Sequence, residues 1–151
     1  MIPVDFEQKR VYRFSNPPSI EQPLVRQFFG NSSRGFYVDV GANHPTIDSQ
    51  TWHLEELGWT GLLLEPLPAY CEMLRKARKG TVVQCACSSP ENHGKRLKLI
   101  SAGVHSTLNP SPIALGAESS EVIEVECRTF DSGRIQGSAR IRFHLHRHRR
   151  A

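Results

Sequence analysis

The chain has 151 residues, 38% of them hydrophobic, with 19 Lys plus Arg against 15 Asp plus Glu and a formal net charge of +4. That length predicts one globular domain, and the composition excludes a disordered or fibrous chain. Five of the basic residues lie within 140–151, which holds no acid, so residues 1–139 carry 14 basic and 15 acidic side chains. The body is near neutral and only the tail is basic, which disfavours a nucleic-acid partner for the body.

Residues 1–33 hold Pro3, Pro17, Pro18 and Pro23 among scattered aromatics and read as an extended arm, with a short helix around Pro23–Phe29. The run Phe36–Val40 is β-branched and aromatic and stops at Gly41, which predicts the first strand. A loop through Pro45 leads to a helix from about Thr46 to Leu57, with Ile47, Thr51 and Leu54 inward and Gly58 as its stop. Leu62–Leu64 is a continuous apolar run, the pattern of a strand buried on both faces of a parallel sheet.

A second helix is predicted over Pro68–Arg78, with Cys71, Leu74 and Ala77 inward and basic residues near its C-terminal end. Thr81–Ala86 reads as the third strand. Strand, helix, strand, helix, strand over 36–86 is the order of right-handed βαβ units, an α/β nucleotide-type half-domain. Beyond Ser88, residues 95–100 and 122–127 alternate polar and apolar, which predicts a half-exposed antiparallel pair after the third parallel strand. Periodicity is lost from Asp131 onward.

Cys71, Cys85, Cys87 and Cys127 form no CxxC pair, so a zinc ribbon and a secreted disulfide scaffold are disfavoured and reduced, buried thiols expected. No apolar run reaches the roughly 18 residues that a membrane span needs. The N-terminus turns polar too early for a signal peptide, so a cytoplasmic location without membrane partners is expected. The alternation of His144, His146 and His148 lacks a neighbouring Cys or carboxylate, and no metal site is expected there.

Open α/β sheets bind ligands beyond the carboxyl ends of their strands. Asp39-x-Gly41-x-Asn43 falls at the first such end, where Gly41 permits a tight turn and a close ligand. Amides opening the next helix are candidates to face a carboxylate or phosphate. Departure from GxGxxG favours a smaller group than a pyrophosphate. Glu65, at the second strand end and 24 residues beyond Gly41, is placed either to accept ribose hydroxyls or simply as a solvated strand end or helix-start acid. Cys85–Ala86, at the third end, offers backbone to an adenine edge.

The stretches Gly35–Pro45 (GFYVDVGANHP) and Gly58–Pro68 (GWTGLLLEPLP) resemble the FkbM family of S-adenosylmethionine-dependent methyltransferases. Val82–Ser88 and Val125–Phe130 resemble it more loosely, so the likeness covers Arg34–Asp131, 98 of 151 residues. The resemblance implies a Rossmann-like methyltransferase fold with S-adenosylmethionine as donor and a hydroxyl on a sugar or other small molecule as acceptor. Asp39, Gly41 and Asn43 would lie by the methionine moiety, Glu65 on the ribose and Ala86 by the adenine. Ser49 and Thr51 occupy polar positions that would line the cleft, or else serve as a cap and a packing residue. His44 and His53 are the candidate bases by proximity alone, and the readings of His44 as a loop residue and His53 as a helix-surface residue outweigh that role.

After Phe130 the family's further strands are expected, but residues 132–151 hold no acid and match none of them. The resemblance therefore implies an incomplete domain over 34–131 followed by a basic tail, with weakened donor binding. It also implies an exposed first strand whose apolar edge favours self-association. Two alternatives stand beside it: an inactive remnant or nucleotide-like ligand-binding protein, and nucleic-acid binding through the tail, which lacks any stacking aromatic cluster.

Overall fold

A computed structural model describes residues 21–101, 106–109 and 121–129. It is an α/β arrangement. The first sheet is parallel and three-stranded, in the order β1 (Phe36–Val40), β2 (Thr60–Glu65), β3 (Thr81–Gln84). Val38 stands opposite Leu62, and Leu64 opposite Val83, which sets the register across the three strands. Three helices connect or flank them: α1 (Glu21–Phe29), α2 (Trp52–Glu56) and α3 (Pro68–Ala77).

The second sheet joins β4 (Ala86–Cys87), β6 (Glu121–Arg128) and β5 (Arg96–Ser101), in that order. β5 and β6 pair antiparallel, Leu97 opposite Val125 and Leu99 opposite Ile123, so the expected hairpin-like pair is present. The expected third strand differs from the observed one. It divides at Cys85, whose N–H still donates to the Glu65 carbonyl (3.1 Å), while the next residue, Ala86, pairs in parallel with Cys127. One continuous β-prone run therefore serves two sheets.

Two apolar clusters correspond to the two sheets. Tyr37, Ala42, Leu54, Trp59, Leu63 and Leu74 pack between the first sheet and its helices. Leu67, Ala86, Leu99, Val125 and Cys127 form the second cluster. Leu74 and Cys71 are fully enclosed, as expected for the inward face of α3, and so is Leu63 of β2. Ala77, expected inward, is exposed. Leu62 is only half-buried, so the second strand is not sealed on both faces at every residue.

The first crossover helix is much shorter than the apolar spacing predicts. Only Trp52–Glu56 is helical, and Ile47 is 42% exposed. Residues before it cannot join the helix because Asn43 (φ 52°) and Asp48 (φ 56°) take the left-handed conformation, which short polar side chains tolerate best. Gly58 N–H donates to the Glu55 carbonyl at its far end (2.9 Å). All four cysteines are free thiols; Cys71, Cys85 and Cys127 are buried and Cys87 is half-buried.

Among the described residues, β1 has one strand neighbour, β2, and Phe36 and Val40 are 46% and 56% exposed. Most of the arm (1–20), the loop around 110–120 and the tail at 132–151, including its three alternating histidines, lie outside the described residues. Among the described residues no helix is long and apolar enough to cross a membrane.

Candidate functional site

A cleft of about 560 Å³ opens at the carboxyl end of β1, a volume within the range of small-molecule sites. It is lined by Asp39 through His44, by Ile47 through Gln50, and by Glu21 and Tyr70. Of the residues singled out from sequence, Asp39, Gly41, Asn43, His44 and Ser49 meet here. Glu65, Thr51, His53 and Ala86 do not line it.

Gly41 carries the sharp turn out of β1, with φ +74° and open space where a Cβ would stand. The turn directs its amides away from the cleft. Gly41 and Ala42 N–H both donate to the Leu64 carbonyl (2.8 and 3.2 Å), and Asn43 N–H donates to Glu65 Oε2 (2.9 Å). The next amides are engaged too: Thr46 and Ile47 N–H donate to His44 Nδ1 (3.2 and 2.9 Å), and Trp52 N–H to Ser49 Oγ (3.2 Å). The expectation of free amides facing an anion is not met at these six positions. The polar loop side chains and neighbouring strand satisfy those amides internally.

Glu65 is 3% exposed and each carboxylate oxygen already accepts a backbone N–H, Oε1 from Leu67 (2.9 Å) and Oε2 from Asn43. It is not a solvated strand end. It ties the β1 loop to the start of α3, keeping two strand ends in register. Burial pushes its carboxyl above the ordinary range, opposed by those two amides and reinforced by nearby Asp39.

Asp39 Oδ2 accepts the Thr51 hydroxyl proton at 2.6 Å. Burial raises the Asp39 carboxyl; the Thr51 hydrogen bond and the Arg78 charge pull it back, and Glu55 pushes it up. Behind the cleft wall, Arg78 is buried, with its guanidinium 3.1 Å from Glu55 Oε2. Its Nη1 donates to the Pro45 carbonyl and Ser49 Oγ (both 3.1 Å), and its Nη2 to Thr51 Oγ1 (2.9 Å) and the Tyr37 hydroxyl (3.4 Å).

Glu55 also accepts the Tyr37 hydroxyl and the N–H groups of Lys79 (3.0 Å) and Gly80 (3.1 Å). Burial opposes its charge, yet Arg78, Tyr37 and Lys79 N–H outweigh it and hold the carboxyl below the ordinary range. Sequence reading missed this network because Arg78 looks like a basic residue at a helix end. The available signal was spacing: Cys71 and Leu74 lie on the buried face of α3, and Arg78, the extended residue that follows the helix, falls at i+7 from Cys71 and is buried with them.

The two candidate bases occupy different places. His44 lines the cleft, but its Nδ1 accepts two backbone N–H groups, so the neutral ring carries its proton on Nε2. His53 is fully enclosed, not on a helix surface as one reading had it. Burial, with the charges of Arg26 and Arg78, lowers its pKa to about 4.

The cleft's charge is one-sided. Glu21, Asp39 and Asp48 line it, and among the described residues no Lys or Arg does. α1 joins this wall through Gln50 Nε2, which donates to Glu21 Oε2 (2.8 Å), and through Gln22 Nε2, which donates to the Thr46 carbonyl (3.2 Å). Among the described residues, no group of three or more His, Cys, Asp or Glu is arranged to hold a metal ion. Comparison with known families, curated proteins and solved structures finds no match to this chain.

Proposed function

We propose that the chain is an S-adenosylmethionine-dependent methyltransferase of Rossmann-like fold, acting on a hydroxyl of a sugar or other small molecule. The observation that carries this reading is the cleft beyond Asp39, whose walls among the described residues hold three carboxylates and no Lys or Arg. Such a lining favours a ligand with net positive charge, as the sulfonium donor has, and disfavours phosphates. The resemblance of 35–45 and 58–68 to the FkbM family supports the same donor. Asp39, Gly41 and Asn43 would meet its methionine part; Glu65 and Ala86, which the resemblance puts on its nucleoside side, are buried behind the cleft lining. Both Glu65 oxygens already hold backbone amides, so ribose hydroxyls would use only its remaining acceptor capacity.

A second reading, donor binding without turnover, is favoured by the two histidines. His44 offers a donor nitrogen instead of a base, and His53 is enclosed. Ultraviolet cross-linking with methyl-labelled S-adenosylmethionine, followed by peptide mapping, tests the donor assignment. Label within 36–50 that unlabelled donor displaces is expected. Label scattered over the surface, or none that competes, overturns it.

A further inference from the structure

We propose that Arg78 is the positioning residue of this cleft: through Thr51 it fixes the Asp39 carboxylate, and through Pro45 and Ser49 it fixes the loop that follows β1. The inference rests on the donor-binding reading for its ligand but on the fold alone for its geometry.

The relay is short. Arg78 Nη2 donates to Thr51 Oγ1 (2.9 Å), which leaves the single hydroxyl proton of Thr51 to donate to Asp39 Oδ2 (2.6 Å). A hydroxyl has one proton and two lone pairs, so an Arg donor on one side dictates that the proton goes to the carboxylate on the other. The same guanidinium holds the Pro45 carbonyl and the Ser49 hydroxyl, two points of the loop that lines the cleft. Backbone bonds within 42–51 are few, so this loop depends on side chains for its shape. Glu55, which accepts from Tyr37, Lys79 and Gly80 as well, anchors the guanidinium from behind.

Arg78 was placed by α3 and β3, elements that contribute no Arg or Lys to the cleft surface. A wholly structural arginine would need only the Glu55 pair and one or two carbonyls. Instead, three of its contacts go to the cleft loop or the Asp39 partner. The charged groups facing Asp39 are Arg78 and Glu55 from behind and Glu65 at the neighbouring strand end; Glu21, Asp48 and His44 share its cleft.

The test combines Thr51→Val, Thr51→Ser and Arg78→Lys with carboxyl carbon NMR titration of Asp39 and calorimetric titration of S-adenosylmethionine. Thr51→Val deletes the relay hydroxyl, and Thr51→Ser retains it. In Thr51→Val the Asp39 carboxyl is expected to bind its proton at least about three-fold more tightly, half a pH unit upward, with Thr51→Ser restoring it. Arg78→Lys, which keeps charge but loses the fork, is expected to shift it the same way. Donor affinity is expected to fall about ten-fold in Thr51→Val relative to Thr51→Ser.

An Asp39 titration unmoved in folded Thr51→Val overturns the proposal, as does a shifted Asp39 with undiminished donor affinity. If Arg78→Lys does not fold, the Thr51 pair decides. If the wild-type chain binds no donor, the functional reading fails, and the Asp39 titration alone still decides whether the relay exists.

Discussion

Arg78 and Glu55 are the most enclosed opposite charges among the described residues, with side chains 0% and 2% exposed. Removing one partner leaves the other buried without its counter-charge, which costs more than the pair itself contributes. Arg78→Met is therefore expected to destabilise the fold by about 3–5 kcal/mol, read from urea unfolding. A loss under about 1 kcal/mol would show that water reaches Glu55. His53 makes a separate statement about pH. Its folded pKa, about 4, lies below the ordinary 6.5, so the unfolded chain binds the proton first as pH falls. Stability from this residue is complete above pH 6.5 and drains away toward pH 4, by about 3 kcal/mol or slightly more in total. Glu55, with its depressed carboxyl, loses its contribution as pH falls through the acid range; raised Asp39 and Glu65 act in the opposite direction. Urea unfolding at pH 6.5 and 4.5 should show a larger acid loss for the wild type than for His53→Gln. Equal losses would mean His53 is solvated in the native state.

At the scale of elements, the turn from α3 into β3 is governed by space. A Cβ on Gly80 would run into the Tyr37 hydroxyl and come within 3.1 Å of both Glu55 Oε1 and the Gly61 carbonyl. Gly80→Ala should thus cost about 1–3 kcal/mol in a urea melt, and an unchanged midpoint would show that the Tyr37–Glu55 contact is loose. The strands were legible in sequence because β-branched and apolar runs bounded by Gly and Pro have few competing readings; β1, β2 and the β5–β6 pair fall where those runs fall. The helix expected over 46–57 was not legible. Its apolar spacing is real, but Asn43 and Asp48 turn the backbone left-handed. Ser49 Oγ accepts from Trp52 N–H and Arg78, and Thr51 Oγ1 accepts from Arg78 and donates to Asp39. Polar side chains that bond locally or to a buried arginine override periodicity. In the same way Cys85 divides a run that reads as one strand, because the partner for Ala86 comes from Cys127, about forty residues later.

For the whole molecule, the net charge of +4 belongs largely to residues 140–151, outside the described residues, while the cleft is acidic. Sequence reading found five residues of the cleft, Asp39, Gly41, Asn43, His44 and Ser49, because they follow one strand end. It missed Glu21, Asp48, Gln50 and Tyr70, which reach the cleft only once α1, the loop and α3 are packed together. That packing depends on the first apolar cluster. Leu63→Ala, at a 0% exposed site, should cost about 2–5 kcal/mol and weaken any cleft ligand through the wall that it supports. The most direct test of the account is calorimetric titration of the purified chain with S-adenosylmethionine, beside Asp39→Asn. One saturable site is expected, tighter than about 1 mM but weaker than about 10 µM because the Glu65 oxygens are already engaged, and weakened further in Asp39→Asn. Absence of saturable heat up to about 1 mM, or an affinity indifferent to Asp39, would contradict it.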